Sequence, residues 1–308
     1  MLILKPIIHE TIWGGEKLYK YVADEENKKI GHLYLVSGRK GMSNEIINGR
    51  YKGKTLSEVF NIQKKAWKME EYEEFPLTIA LVDAFNNLSI QVHPDDVTAK
   101  RLEGKRIGKM ESWLFLEGPD SGWIYDGCAC TEEAQLKATI EERRMEEIAA
   151  RLKVDTNDYV CIKAGTLHAM TAGSLVYEIE YGSDYTYRFY DYNRRDEQGN
   201  KRELHIEKAL ESIKLNLIPK VQKSVIGQWI SEEKYEIQKV KKAENYQNLS
   251  CELECISLLD GEGMADGCKI SSGMGVLLSP GEKLDNVTVH NAIIARMRNI
   301  EREYEKRN

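Results

Sequence analysis

Gln91 and His93 stand two residues apart in the run Leu88-Ser-Ile-Gln-Val-His-Pro-Asp-Asp96. The alternation of apolar and polar residues is that of a strand. A spacing of two puts both polar side chains on one face, with Ile90 and Val92 turned the other way into packing. Pro94 then ends the strand. An amide oxygen and an imidazole side by side at a strand end are half of a metal site or of a polar pocket. Candidates for the other half lie further along the chain. Glu111 opens Glu111-Ser-Trp-Leu-Phe, whose register puts Glu111, Trp113 and Phe115 on one face. A carboxylate on an otherwise apolar face is costly unless it is paired or bound to metal. Lys109 stands two residues before it, and Gly165-Thr-Leu-His168 joins a glycine turn to a histidine. Taken alone, either histidine suits a hydrogen-bonded core position; taken with the rest, each suits a metal.

Strands must position these groups. Met1 to His9 reads as a first strand, because it lacks the basic flank and cleavage site of a signal peptide. Thr11-Ile-Trp13-Gly14-Gly15 looks like a glycine turn carrying an exposed Trp. Gly31, Gly38, Gly41 and Gly49 break residues 29–50 into short strands. Thr55-Leu-Ser-Glu58 is a capping box and opens a short helix with Val59, Phe60 and Ile62. Phe75 to Ile90 reads as a strand pair joined at Asn86-Asn87, and Asp95 and Asp96 cap a helix to about Leu102. Residues 131–152 read as helix-rich, residues 203–217 as a further helix. Strands return at Tyr159 to Lys163, Ser174 to Ile179 and Tyr185 to Tyr190. Beyond Tyr235 short strands alternate with glycine turns. Many short strands around one helical block predict a mainly β fold. No Gly-x-Gly-x-x-Gly follows a strand, which sets aside a dinucleotide-binding reading.

The chain has 308 residues, a formal net charge of −6, 42% hydrophobic and 31% charged residues. That length leads us to expect two units. The charge gives no reason to expect nucleic acid or an anionic membrane. The basic runs at Lys64-Lys65-Ala-Trp-Lys68 and Arg143-Arg144 suit solvated helix faces. No stretch is long and apolar enough for a helical membrane span. The six cysteines include Cys128-x-Cys130 but no zinc-ribbon spacing, so reduced thiols in a cytoplasmic protein are expected.

Glu111 with Gly118, and Gly165-x-x-His168, resemble the two signature motifs of cupin barrels. Lys163 stands where the second motif has proline. The resemblance implies two cupin-like (jelly-roll) barrels with a peripheral helical segment. We divide them as 1–224, catalytic and zinc-binding with the helical part at about 131–153, and 225–308, a cupin-like β domain without metal. Gln91, His93, Glu111 and His168 together make a site with one anionic ligand. A divalent ion there keeps about one net positive charge, which suits Lewis-acid work on oxygen.

Ile12-Trp-Gly-Gly15, Leu88 to Asp96, Gly108-Lys-Met-Glu111, Ala164 to Ala169 and Ser183-Asp184-Tyr-Thr-Tyr-Arg188-Phe-Tyr-Asp191 in this order resemble the type I mannose-6-phosphate isomerases, in their shorter bacterial form. The resemblance implies a cytoplasmic isomerase of mannose 6-phosphate and fructose 6-phosphate. It implies one zinc ion per chain held by Gln91, His93, Glu111 and His168. It makes Arg188 the catalytic arginine and lines the sugar pocket with Trp13, Ser89, Lys109, Glu178 and Asp184. The partner is then a small sugar phosphate, and the protein a monomer or homodimer.

Aldose–ketose isomerisation moves a proton between C1 and C2 through an enediol. It needs a base, a stabiliser of oxyanion charge and a route to ring opening. Arg188 stays protonated and can face an enediolate or a phosphate. Lys109 lies beside a metal ligand, so cationic zinc is expected to lower its pKa and make it the base. Asp184 is assigned to ring opening, and Trp13 to stacking on the sugar. Lys109, Arg188 and Arg195 are the candidates for the phosphate.

Three positions depart from the family. His32 stands where an acid is usual, Ala80 near a usual lysine, and Lys163 for proline. Losing an acid and a base together is a compensated change or a retuned pocket. Two alternatives follow: an isomerase of another sugar or sugar phosphate, and a cupin that binds zinc and a sugar phosphate without turnover.

Overall fold

The computed structural model, which describes residues 1–22 and 28–298, sorts the strands into three large sheets and one two-stranded ribbon. A seven-stranded sheet takes Ile7–Gly15, Ile30–Val36, Leu77–Ala84, Ser174–Gly182, Lys109–Glu117, Asp158–Ile162 and Val221–Lys223 in that spatial order. A five-stranded sheet faces it, ordered Ala149–Lys153, Trp123–Cys128, His168–Ala169, Ile90–Val92 and Tyr187–Tyr190. Their inner faces share one apolar cluster: Val82, Trp113, Phe115 and Val176 from the larger sheet, with Ile124 and Leu152 from the smaller. Burying Trp113 and Phe115 there contributes about 1.5–3 kcal/mol each. The fold is mainly β and of the cupin type, as expected.

Period-two alternation decides which side chains enter the barrel. On the five-stranded sheet Ile90, Val92, Leu167, Ala169, Tyr187 and Phe189 turn outward, against Leu136 and Ala209 of the helical segments. Gln91, His168 and Arg188, which alternate with them, turn inward. The outer face of the larger sheet, with Ile79, Leu81, Leu114 and Tyr177, packs on Ile237, Cys255, Leu277 and Ile293 of the third sheet. That third sheet runs from Trp229 to Met297 and takes in the first strand of the chain, Leu2–Leu4, beside Gly275–Leu278. The division expected after residue 224 is therefore crossed by the N-terminus.

Two caps form as expected. Thr55 and Glu58 make the capping box of Leu56–Gln63. The Asp95 carboxylate accepts from Thr98 N to start Asp96–Glu103. Four local expectations fail. Leu77–Ala84 and Ile90–Val92 do not pair; the Asn86-Asn87 turn carries the chain from one sheet to the other. Ala149–Lys153, expected as helix, pairs with Trp123–Cys128, so tertiary pairing overrides local propensity. The helix expected over residues 203–217 is confined to Ile206–Ser212. Lys214 N beyond it is spent on Gly165 O, at 2.8 Å, in the turn before His168. Trp13 lies within a strand and is 3% exposed.

Candidate active site

Three segments bring the site together, and backbone bonds lace them. Gly165 N donates to His93 O at 2.9 Å, and Lys109 N to Pro94 O at 2.9 Å. Gly165 has φ +91°, a left-handed turn that needs glycine and forms without a proline at Lys163. A Cβ on Gly108 would lie 2.3 Å from Pro94 O, so only glycine lets the two loops touch.

His93 and His168 have fixed tautomers. Nδ1–H of His93 donates to Tyr185 O at 2.9 Å, and Nδ1–H of His168 to Thr166 O at 2.8 Å. Carbonyls only accept, so each Nδ1 carries the proton. Both Nε2 lone pairs then face Glu111: His93 Nε2 is 3.1 Å from Oε2, and His168 Nε2 3.5 Å from Oε1. Burial lowers both imidazoles, His168 to about 3, with Lys109 adding for His93 and His93 for His168. Burial pushes Glu111 up, but Lys109 and His93 outweigh it and hold the carboxyl well below its usual range. Neutral nitrogens aimed at a carboxylate are an arrangement that a cation relieves, and His93, Glu111 and His168 are close enough to share one. Gln91 Nε2 lies 3.4 Å from His168 Nε2, and its Oε1 accepts from Ser89 Oγ at 2.9 Å. A half-turn of the amide would present its oxygen to the same centre. This donor set fits a divalent metal.

Lys109 sits between two carboxylates, 2.9 Å from Glu111 Oε2 and 2.5 Å from Glu180 Oε1. Arg39 Nη2 lies 2.8 Å from Glu180 Oε2. Burial alone lowers Lys109, yet Glu111, Glu180 and Glu178 outweigh it and raise it above its ordinary value. The lowering expected from a cationic zinc concerns the metal-bound site; without the ion, Glu111 and Glu180 hold Lys109 as a cation.

On the facing wall Asp126, His168, Gln91 and Arg188 stand in one cross-strand row. Arg188 is partly buried, with no hydrogen bond to its buried Nε and no ion pair among the described residues. Burial and then Arg202 lower its pKa. Asp126 is 1% exposed, and neither carboxyl oxygen has a hydrogen-bond partner among the described residues. Burial, then Glu111, raises it to about 8.

The profile of phosphomannose isomerase type I, catalytic domain, matches residues 1–109. The probable mannose-6-phosphate isomerase GmuF of Bacillus subtilis is 38% identical over 223 residues, 71% of this chain and 70% of the relative. The mannose-6-phosphate isomerase ManA of the same organism is 35% identical over 218 residues, 71% and 69% of the two chains. The chain belongs to the type I phosphomannose isomerases. The crystal structure of a mannose 6-phosphate isomerase from Bacillus subtilis superposes with a TM-score of 0.77 at 26% identity, covering 97% of this chain and 99% of that one. A putative mannosephosphate isomerase from Archaeoglobus fulgidus shares the fold, with a TM-score of 0.75 at 18% identity over 96% and 97% of the chains. The protein is an enzyme of the aldose–ketose isomerase class.

Within this phosphomannose isomerase the expected site residues fall at different distances from the centre. Gln91, His93, Glu111, His168 and Lys109 converge, and Ser89 props Gln91. Glu178 accepts from Trp113 Nε1 at 2.9 Å and lies across from Ala80 and Trp113 in the sheet. Trp13 meets the edge of His32 at 5.0 Å between ring centres. Asp184 lines a cavity of about 250 Å³ with Arg39, Ser183 and Tyr185. Arg195 is exposed and bonds Gly199 O at 2.5 Å, within its own loop.

Glu180, Arg39 and Asp126 were missed. Glu180 had a readable signal, since Glu178 and Glu180 alternate on one strand face. Arg39 had none, because Gly-Arg-Lys-Gly reads as a solvated turn.

Proposed function

We propose that this enzyme interconverts mannose 6-phosphate and fructose 6-phosphate, with one zinc ion held by Gln91, His93, Glu111 and His168. Arg188 carries the reading. It is a partly buried guanidinium with no ion pair among the described residues, in register with Gln91 on the wall that bears the ligand set. An uncompensated cation in a barrel is costly, and an anionic substrate group or enediolate offsets that cost. The likeness to the mannose-6-phosphate isomerases GmuF and ManA supports this choice of sugar.

Bound zinc would supply Lewis-acid polarisation of sugar oxygens. The chain supplies the rest. Arg188 holds negative charge that develops as the C2 proton leaves. Lys109, as it stands, is a cation that orients Glu111 and Glu180; a neutral amine there requires Glu111 to be drawn to a metal instead. It remains our assigned proton carrier. Asp184 is assigned to ring opening. Ser89, Trp13 and Glu178 hold the sugar.

Free cysteines support a cytoplasmic setting. No helix among the described residues is long and apolar enough to cross a membrane. We propose a monomer or homodimer. The test is a coupled assay of zinc-loaded protein with mannose 6-phosphate: turnover is expected, and stoichiometric zinc without turnover would sink the proposal. His32 and Ala80 favour a second reading, turnover of a related sugar phosphate, which the same assay on a panel of epimers would reveal.

A further inference from the structure

We propose that His32 and Glu178 together seat one hydroxyl group of the sugar, across a gap kept open by Ala80, so that His32 helps to set which sugar the site accepts. The inference rests on the sugar-phosphate reading above and extends it to a residue that reading leaves unused.

Leu77–Ala84 lies between the strands of His32 and Glu178. Its Ala80 pairs with Tyr34 on one side and Glu178 on the other. A longer side chain at this position would fill the space above the strand. With only a methyl there, His32, which itself pairs with Val82 two positions along the strand, reaches diagonally across, and its Nε2 comes to 3.9 Å from Glu178 Oε2. That is too long for a hydrogen bond, and close enough for one oxygen to bond both atoms.

Both groups are held in place before any ligand arrives. The His32 ring stacks on Tyr34 at 5.2 Å and 8°, and on His9 at 5.7 Å, with Trp13 edge-on. Glu178 is anchored by the Trp113 indole. Neither is sealed off: 17% of the His32 side chain and 7% of the Glu178 side chain remain accessible. His32 Nδ1 is buried without a hydrogen-bond partner among the described residues. A buried unpaired acceptor costs less than a buried unpaired N–H, so the ring proton belongs on Nε2. A hydroxyl in the gap then accepts from Nε2–H and donates to Glu178 Oε2, using both of its functions. Fixed donors and acceptors at a sugar hydroxyl discriminate against an analogue that lacks it.

His32→Phe keeps the stacked ring and removes both nitrogens. Calorimetric binding of mannose 6-phosphate and its monodeoxy analogues to zinc-loaded wild type and variant tests the seat. The variant should bind mannose 6-phosphate about tenfold more weakly, the worth of one hydrogen bond. One monodeoxy analogue, lacking the seated hydroxyl, should bind both proteins alike. Ala80→Leu, which closes the gap with the imidazole intact, should show the same pattern, and it carries the comparison if His32→Phe does not fold. An equal loss for every analogue, or no loss, overturns the seat. Wild type that shows the pattern without isomerising sinks the proposed function alone. Wild type that isomerises mannose 6-phosphate with unchanged binding in the variants sinks the seat alone. No binding of any of these sugar phosphates overturns both.

Discussion

Lys109 and Glu180 form a buried ion pair at 2.5 Å, and the second oxygen of Glu180 faces Arg39 at 2.8 Å. Removing one partner leaves uncompensated charge beside the ligand set. Glu180→Gln should therefore cost about 3–5 kcal/mol in urea unfolding. Lys109→Met combined with Glu180→Leu should cost less than the sum of the single changes. Additive losses would show that the two do not act as a pair.

Metal should stabilise this fold measurably. The lone pairs of His93 and His168 converge on Glu111, so a bound cation replaces repulsion with ligation. At a zinc concentration one hundred times Kd the gain is about 2.7 kcal/mol. Thermal unfolding with zinc and then chelator should show the rise and its reversal. His168→Ala should abolish the rise, and a zinc-insensitive wild type would rule out the site.

Arg188 offers a separation of chemistry from metal binding. Arg188→Ala should lower turnover about a thousandfold, the upper range for losing one charge-stabilising donor. Its zinc stoichiometry should match wild type. Arg188→Lys should recover part of the rate, since it restores charge without the planar fork. Loss of zinc in either variant would make Arg188 a prop for Gln91 rather than a substrate contact.

Asp126 gives a pH signature. Its folded-state pKa is raised to about 8 from 3.8. Between those values the native protein keeps a proton that the unfolded chain has released, so stability falls as pH rises through that window. Asp126→Asn is neutral throughout and removes this slope. In metal-free protein the variant should match wild type near pH 4 and exceed it by about 5 kcal/mol at pH 8, at about 1.4 kcal/mol per pKa unit. Parallel profiles would place the shift elsewhere.

Local chemistry was readable from the sequence. The two-residue spacing of Gln91 and His93, the Thr55 capping box and the Asp95 cap each depend on residues a few positions apart. Trp13 was misread because Gly14 and Gly15 resemble a turn. In the fold a Cβ on Gly14 would lie 2.5 Å from Gly31 N, so the glycine serves a close strand approach. The second carboxylate on Lys109 was not legible, because Glu180 reaches it only through sheet pairing of Glu111 with Glu180. Arg39 enters the same network from a distant ribbon, where periodicity carries no information.

Leu2–Leu4 pairs with Gly275–Leu278, so residues made early are gripped by some made much later. Until then Ile79, Leu81, Leu114 and Tyr177 on the outer face of the ligand-bearing sheet lack the cover of Ile237, Cys255, Leu277 and Ile293. A nascent chain in that condition presents apolar surface for most of its synthesis, and closure must join distant parts of the sequence, which slows folding. Cutting the chain after residue 224 would make that exposure permanent. The third sheet, remote from the chemistry, is then what lets the catalytic half survive its own birth.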